Sequence, residues 1–312
     1  MKPLVEYHHI QKLVSGDDLH ITSHAFIGSE PGPSIYIQGN IHGPEIFGTA
    51  LLIKLMQRLE HIDSIKGKIT VVPLANPLGV QAQTYGLIHG RWNAQTGNDW
   101  NRIFSKTQGD GVEATLARTL LSISGGHAIV LDIHTSGSEA IPHVYTTEEH
   151  GDTFNALHTP YHIIYGPKDY YGAFDETVWK NGKKKRNKIA TATWEASSHL
   201  TLEEKTLEEQ LENLLSWLAS CGAIKGPPNS TPHPEKILMK NVKWHPSPRA
   251  GYITWIRSVG EIIAKEEAYT NIYEPWSGNV EQLRASRSMI FLSKGTLQAI
   301  SVGHIIGKII EL

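Results

Sequence analysis

The chain is poor in cysteine, in excess charge of either sign and in long apolar runs. Its 312 residues include one cysteine, Cys221. That excludes an intrachain disulfide and makes a reducing, cytoplasmic location the simpler expectation. A formal net charge of −2 gives no general reason to expect nucleic acid as a partner. No uninterrupted stretch approaches the roughly 20 apolar residues of a membrane-spanning helix, so no membrane partner is expected. The opening MKPLVEYHHIQKL lacks the apolar centre of a signal peptide. What remains is an ordinary globular composition, 40% hydrophobic and 19% charged. It is long enough for one large α/β domain with an appendage, or for two domains. Cys221 follows an amphipathic helical pattern and reads as inert packing.

The stretch IYIQGNIHGPE, residues 35–45, organises the rest. Ile35, Tyr36 and Ile37 form a short β-branched and aromatic run that predicts a buried strand. Gly39 and Asn40 end it, and Pro44 suits the opening of a helix. That helix is expected from Pro44 to about His61, with Leu51, Leu52, Leu55 and Leu59 widening its apolar face. His42 and Glu45 therefore fall at a strand-to-helix junction, where open α/β sheets bind ligands. A neutral imidazole and a carboxylate suit zinc, and a catalytic zinc keeps three protein ligands and one open position. The plainer reading makes His42 a loop residue and Glu45 a first-turn acid favoured by the helix dipole. His8, His9, His20 and His24 show no ligand spacing and read as surface or structural.

Further strands are expected at Lys68–Leu74, His127–Ile133, His143–Thr146, Tyr161–Tyr165 and Lys188–Glu195. A helix is expected at Val112–Ser124, stopped by Gly125-Gly126. Another should open on the capping box Thr201-Leu202-Glu203-Glu204 and run to about Ala219. Val80–Ser105 reads as a long functional loop, ordered by Arg91, Trp92, Trp100 and Arg102. Lys168–Asn187 reads as a loop whose basic run, Lys183 to Arg186, is a solvated face or a positive lid over an anionic substrate. The Pro/Gly/Asn/Ser stretch 226–232 is the best linker, dividing residues 1–232 from 233–312. The second part carries a repeat: Val259-Gly260-Glu261-Ile262-Ile263-Ala264-Lys265 returns as Val302-Gly303-His304-Ile305-Ile306-Gly307-Lys308. Two such units predict a small pseudo-symmetric β-barrel or sandwich. Its hairpin region, Tyr269–Asn279, has no lysine, which excludes a lipoate- or biotin-carrier role.

Three stretches converge with His42 and Glu45. Asp132-Ile133-His134, at the end of the central strand, offers His134 as a third ligand. Strand alternation puts Asp132 on the same side as His134, in reach of a supporting role. Arg91, with Asp99-Trp100-Asn101-Arg102, offers a guanidinium for an oxyanion and a clamp for a substrate carboxylate. Their plainer reading is a set of surface ion pairs. Glu195, beside Trp194 at a strand end, is a candidate general base that takes a proton from water and returns it to a leaving amine.

The motifs GNIHGPE (39–45), NPLG (76–79), DWNRIF (99–104), DIHTSG (132–137) and WE (194–195), in that order, resemble the succinylglutamate desuccinylase/aspartoacylase family. The resemblance spans nearly the whole chain. It implies a zinc carboxypeptidase-like three-layer α/β/α domain with a mixed, mostly parallel sheet, and a small C-terminal β module shaping the pocket mouth. It also implies one zinc ion per chain, held by His42, Glu45 and His134. Asn101 and Arg102 would hold a substrate carboxylate, Arg91 would polarise the scissile carbonyl, and Glu195 would be the base. The implied substrate is a small anionic N-acyl amino acid, cleaved at its amide. A homo-oligomer is compatible with this reading. Two features depart from the family pattern: Trp100 stands where leucine is usual, and Ala196-Ser197-Ser198 follows Glu195 where a glycine is common. The competing readings are a carboxypeptidase acting on a peptide or cell-wall fragment, and a non-catalytic metal-binding protein of the same fold.

Overall fold

The computed structural model describes residues 2–84, 87–184, 188–199, 202–226 and 233–312. The alternating strands and helices build a nine-stranded mixed sheet. Its order is Leu4–Lys12, Asp18–Ile27, Lys66–Val72, Glu30–Gly39, Ile129–His134, Ala190–Glu195, His143–Thr147, Tyr161–Tyr165 and Glu235–Leu238. The pairings from Lys66–Val72 through Glu30–Gly39 and Ile129–His134 to Ala190–Glu195 are parallel. His143–Thr147 joins Ala190–Glu195 antiparallel, and the two outer strands beyond it are parallel again. The N-terminal hairpin closes the opposite edge antiparallel.

Alternation along the central strands creates two cores. Ile35, Ile37, Leu131 and Ile133 pack with Leu51, Leu52 and Leu55 of helix Ile46–Glu60 and with Leu211, Leu214 and Trp217 of helix Glu204–Ser220. Tyr36 and Val130, one residue out of step, pack with Leu116 and Leu120 of helix Val112–Ile123 and with Phe174 and Val178 of helix Phe174–Lys184. A strand covered by helices on both faces must be apolar at nearly every position, and these are. Full burial of each such side chain contributes about 1.5–3 kcal/mol. Cys221 caps the C-terminal end of helix Glu204–Ser220 and packs on the first core; burial pushes its thiol up to about 12, so it stays protonated.

Several local expectations change. Helix Ile46–Glu60 starts two residues after Pro44, with Glu45 at the capping position and no acid in its first turn. Lys168–Asn187 is not simply a loop, because Phe174–Lys184 is helical. Its signals are Phe174 and Val178 on one buried face, Asp175 and Glu176 in the first turn and Lys183 and Lys184 in the last. Lys183 lies over the Trp179 ring, 4.0 Å from Glu149, whereas Lys185 and Arg186 fall outside the described residues. So do Thr201 of the capping box and linker residues 227–232. Glu203 stands at the capping position of helix Glu204–Ser220 and makes no side-chain cap. The segment Val80–Ser105 holds a two-stranded ladder, Gln83–Thr84 with Leu87–Ile88, and one helical turn, Trp100–Arg102.

Beyond the linker, Val242–Pro246, Ile305–Glu311, Met289–Lys294 and Ile262–Ile263 form one sheet in that order. Val280–Arg284, Ala268–Tyr273, Gly251–Trp255 and Ala299–Ile300 form a second. Ile253, Ile272, Ile263, Phe291 and Ile306 join the two in one apolar cluster. The repeated segments lie on opposite edges of Met289–Lys294, both antiparallel to it. The two parts of the chain also lend each other strands. Glu235–Leu238 extends the large sheet, and Glu139–Ala140, just past His134, pairs with Met289–Lys294. Among the described residues no helix is long and apolar enough to cross a membrane.

Candidate metal centre and active site

The loop after Glu30–Gly39 is held by its own side chains. Asn40 turns the chain at φ 63°, a left-handed conformation that asparagine tolerates. Its Nδ2 donates to the carbonyls of His42 (2.5 Å) and Gly43 (3.2 Å), and its Oδ1 accepts from Thr49 Oγ1 (2.9 Å). Asn76, from the NPLG turn, donates Nδ2 to the Ile41 carbonyl at 3.0 Å. Gly43 is pinned from outside: its N–H donates to the Gly90 carbonyl at 2.8 Å, and a Cβ there would lie 2.0 Å from the Gly79 carbonyl oxygen. Only glycine allows this approach. With this loop fixed and Glu45 outside the helix proper, both side chains point inward, 3% and 1% exposed.

His134, the last residue of the central strand, completes the group. One donor atom from each of His42, Glu45 and His134 lies within 4.8 Å of the others. His42 Nδ1 is 2.8 Å from Glu45 Oε1, and His134 Nδ1 is 2.7 Å from Glu45 Oε2. Both imidazoles thus present Nδ1 to the carboxylate. Their other nitrogens each meet an acid: His42 Nε2 lies 2.9 Å from Asp99 Oδ1 and His134 Nε2 lies 3.0 Å from Asp132 Oδ2. A carboxylate on Nε2 favours the tautomer with its hydrogen there and a lone pair on Nδ1, as a metal ligand requires. Asp132 is fixed in turn by Gln38 Nε2 (3.1 Å), and Gln38 by the Tyr36 hydroxyl (2.8 Å). Tyr36, Gln38, Asp132 and His134 form a buried relay along two adjacent strands.

The electrostatics fit a cation. Burial alone would raise the Glu45 pKa, but the His134 and His42 imidazoles reverse this and hold it well below the usual range. Burial alone would lower that of His134, but Asp132 and Glu45 raise it well above an ordinary histidine. Asp99 is also held low, its burial outweighed by His42 and Arg91. Three carboxylates face the two imidazoles, with Arg91 beside two of the acids, and a divalent ion between the Nδ1 atoms would take the place of an imidazole proton. Two imidazole nitrogens and a carboxylate are a donor set suited to zinc.

Around this centre the structure places the other candidates. The Arg91 guanidinium is 3.3 Å from Asp99 Oδ2 and 3.9 Å from Glu45 Oε1, stacked over Trp92. Asn101 is buried; its Oδ1 accepts from the Phe174 N–H at 2.9 Å and its Nδ2 lies 3.2 Å from His134 Nε2. Arg102 is exposed, with one guanidinium nitrogen donating to the Asn101 carbonyl at 2.7 Å. Trp100, between Asp99 and Asn101 in sequence, turns away into the second core beside Ile41 and Phe104. Glu195 pairs in register with His134 across the two central strands. Burial raises its pKa, opposed by Lys308, whose Nζ is 3.6 Å from Oε1; Oε2 is buried with no hydrogen-bond partner. The Ala196-Ser197 backbone ties directly to His134 and the residues after it, through Ala196 N–H to the His134 carbonyl and Ser136 N–H to the Ser197 carbonyl, both 2.9 Å.

Sequence reasoning gave Asp99 no role and Asp132 no partner, and passed over His199 and Lys308. His199 Nδ1 is 2.7 Å from Thr135 Oγ1, and burial pushes its pKa down to about 4. Asp99 had a usable signal, since it opens the same motif as Asn101 and Arg102. Tyr269 is buried in the C-terminal cluster with its hydroxyl on His245.

Residues 31–169 match the family model described as the succinylglutamate desuccinylase/aspartoacylase catalytic domain. No curated protein matches the chain. Among solved structures, a protein from Shewanella frigidimarina assigned to succinylglutamate desuccinylase/aspartoacylase superposes with a TM-score of 0.89 at 23% identity, covering 99% of this chain and 97% of that one. A family protein from Shewanella amazonensis gives 0.87 at 23% identity, with 98% of both chains covered. The product-bound ectoine utilization protein EutE (DoeB) from Ruegeria pomeroyi gives 0.77 at 18% identity, covering 100% and 96%. At these identities the superpositions establish a shared fold.

Proposed function

We propose that this chain, whose residues 31–169 match the succinylglutamate desuccinylase/aspartoacylase catalytic-domain model, is a zinc-dependent amidohydrolase that deacylates a small anionic N-acyl amino acid. The observation that carries this reading is the meeting of His42, Glu45 and His134, with their donor atoms within 4.8 Å of one another. These three would hold the ion, which when bound supplies Lewis-acid polarisation and lowers the pKa of water. Asp99 and Asp132 keep the two Nδ1 atoms facing inward. Glu195 receives a proton on its free Oε2 as water adds to the carbonyl carbon, then returns it to the amine nitrogen as the C–N bond breaks. Arg91 faces the oxygen on which negative charge develops. Arg102, with the side-chain amide of Asn101, takes the substrate carboxylate.

Helices on both faces of the mixed sheet support placing the fold with the zinc carboxypeptidases. The sheets of residues 233–312 form the module that narrows the pocket, and the site belongs to a cytoplasmic enzyme. The test is metal content together with hydrolysis of a panel of N-acetyl and N-succinyl amino acids and dipeptides. The proposal expects one zinc per chain and turnover of an N-acyl amino acid. A zinc-loaded protein that trims dipeptides and leaves every N-acyl amino acid intact would make it a carboxypeptidase. One that hydrolyses nothing would make it a binding protein.

A further inference from the structure

The strand Ile305–Glu311 brings a lysine into the active site from the far end of the chain. Lys308 Nζ lies 3.6 Å from Glu195 Oε1 and about equally far from two rings, 5.1 Å from the centre of Tyr145 and 5.2 Å from that of Trp244. The residue is 7% exposed. A lysine is rarely so deeply buried without a specific carboxylate partner.

The local fold is adapted to put it there. Lys308 is the last residue of the second repeat; its counterpart in the first, Lys265, is exposed. Gly307 replaces Ala264. A Cβ at 307 would come 2.6 Å from the Ser293 carbonyl oxygen and 2.8 Å from the Phe291 ring, so glycine lets the strand seat against Met289–Lys294. The register between these strands slips between Phe291 and Ser293, directly opposite Lys308 and Ile309. Such a bulge re-aims a side chain. The bulged segment also docks on the loop after His134, through Ser136 Oγ to Ser293 Oγ (3.1 Å) and Ser138 N–H to the Lys294 carbonyl (2.9 Å). His143, the cross-strand neighbour of Glu195, is no rival cation, because burial pushes its pKa down to about 3.

We propose that Lys308 is a positioning residue for Glu195: its ammonium holds Oε1, so that Oε2, buried and unpartnered, is the oxygen that exchanges the proton. The C-terminal part of the chain thereby completes the catalytic machinery. This inference rests on Glu195 being the base.

The test compares Lys308→Met, Lys308→Arg and Glu195→Gln in the full-length, zinc-loaded protein, with an N-acyl amino acid it hydrolyses. Lys308→Met should lower kcat on the order of 10–100-fold, the scale of a misplaced catalytic group. KM and metal content should stay unchanged, and Lys308→Arg should recover most of the loss. A full kcat in Lys308→Met, or a raised KM with kcat intact, overturns the inference while Glu195→Gln remains inactive. Activity in Glu195→Gln overturns the base assignment and the inference together. If Lys308→Met does not fold, Lys308→Gln takes its place. A crystal structure of the folded variant gives a readout independent of turnover. Glu195 should lose its single orientation, and an unmoved carboxylate overturns the inference.

Discussion

At the scale of single residues, each side chain in the site has a nearby group that sets what it can do. Glu195 is buried, and burial raises its pKa above the ordinary carboxylate range while Lys308 opposes the shift. The proposed base works only when ionised. Activity should therefore fall as pH drops through a pKa above that of a free glutamate, and the acid limb of kcat/KM against pH reports it. A limb at or below the ordinary value would mean that another group is titrating. Glu195→Gln should cost about 10²–10⁴-fold in kcat, with metal content unchanged. Asp132→Asn should weaken zinc binding about 10–100-fold in a competition titration against a chelator, because it replaces the charged acceptor that fixes the His134 tautomer with a neutral amide. The meeting of His42, Glu45 and His134 was legible in the sequence because ligand-type residues stood near strand ends. Strand alternation showed the side of Asp132. Its partner, and that of Asp99, depends on where ring nitrogens point, which spacing does not specify.

At the scale of elements, the strand-to-helix loop 39–45 is the part on which the proposed metal site depends most. Gly43 has no room for a methyl group against the Gly79 carbonyl. Gly43→Ala should displace His42 and reduce zinc affinity by at least tenfold, with the central sheet intact by circular dichroism. Undiminished affinity would show that the loop tolerates the shift. The sheet strands were legible because a strand buried on both faces leaves a near-continuous apolar run. Helix Phe174–Lys184 was not, because its sequence is largely polar and only Phe174, Val178 and neighbours mark the buried side. Pro44 misplaced the start of helix Ile46–Glu60 by two residues. That offset matters, since it leaves Glu45 outside the first turn and free to face the two imidazoles.

At the scale of the whole molecule, the chain is two sets of sheets that exchange strands around one site. The repeat announced the C-terminal sheets, and its copies do flank a common strand. It could not announce that one copy sends Lys308 into the other part of the molecule, because no local pattern records a contact between such distant segments. Metal binding at the proposed site would also be tied to stability. Free zinc at 100 times its Kd should stabilise the folded chain by about 2.7 kcal/mol. Stripping the ion with a chelator should lower Tm and abolish hydrolysis, and zinc should restore both. The most direct measurement is anomalous diffraction at the zinc edge from crystals of the zinc-loaded protein. The account predicts a single peak bonded to His42 Nδ1, the Glu45 carboxylate and His134 Nδ1, with an open coordination position facing Glu195. An absent peak there, or an ion closed off by a fourth protein ligand, would contradict it.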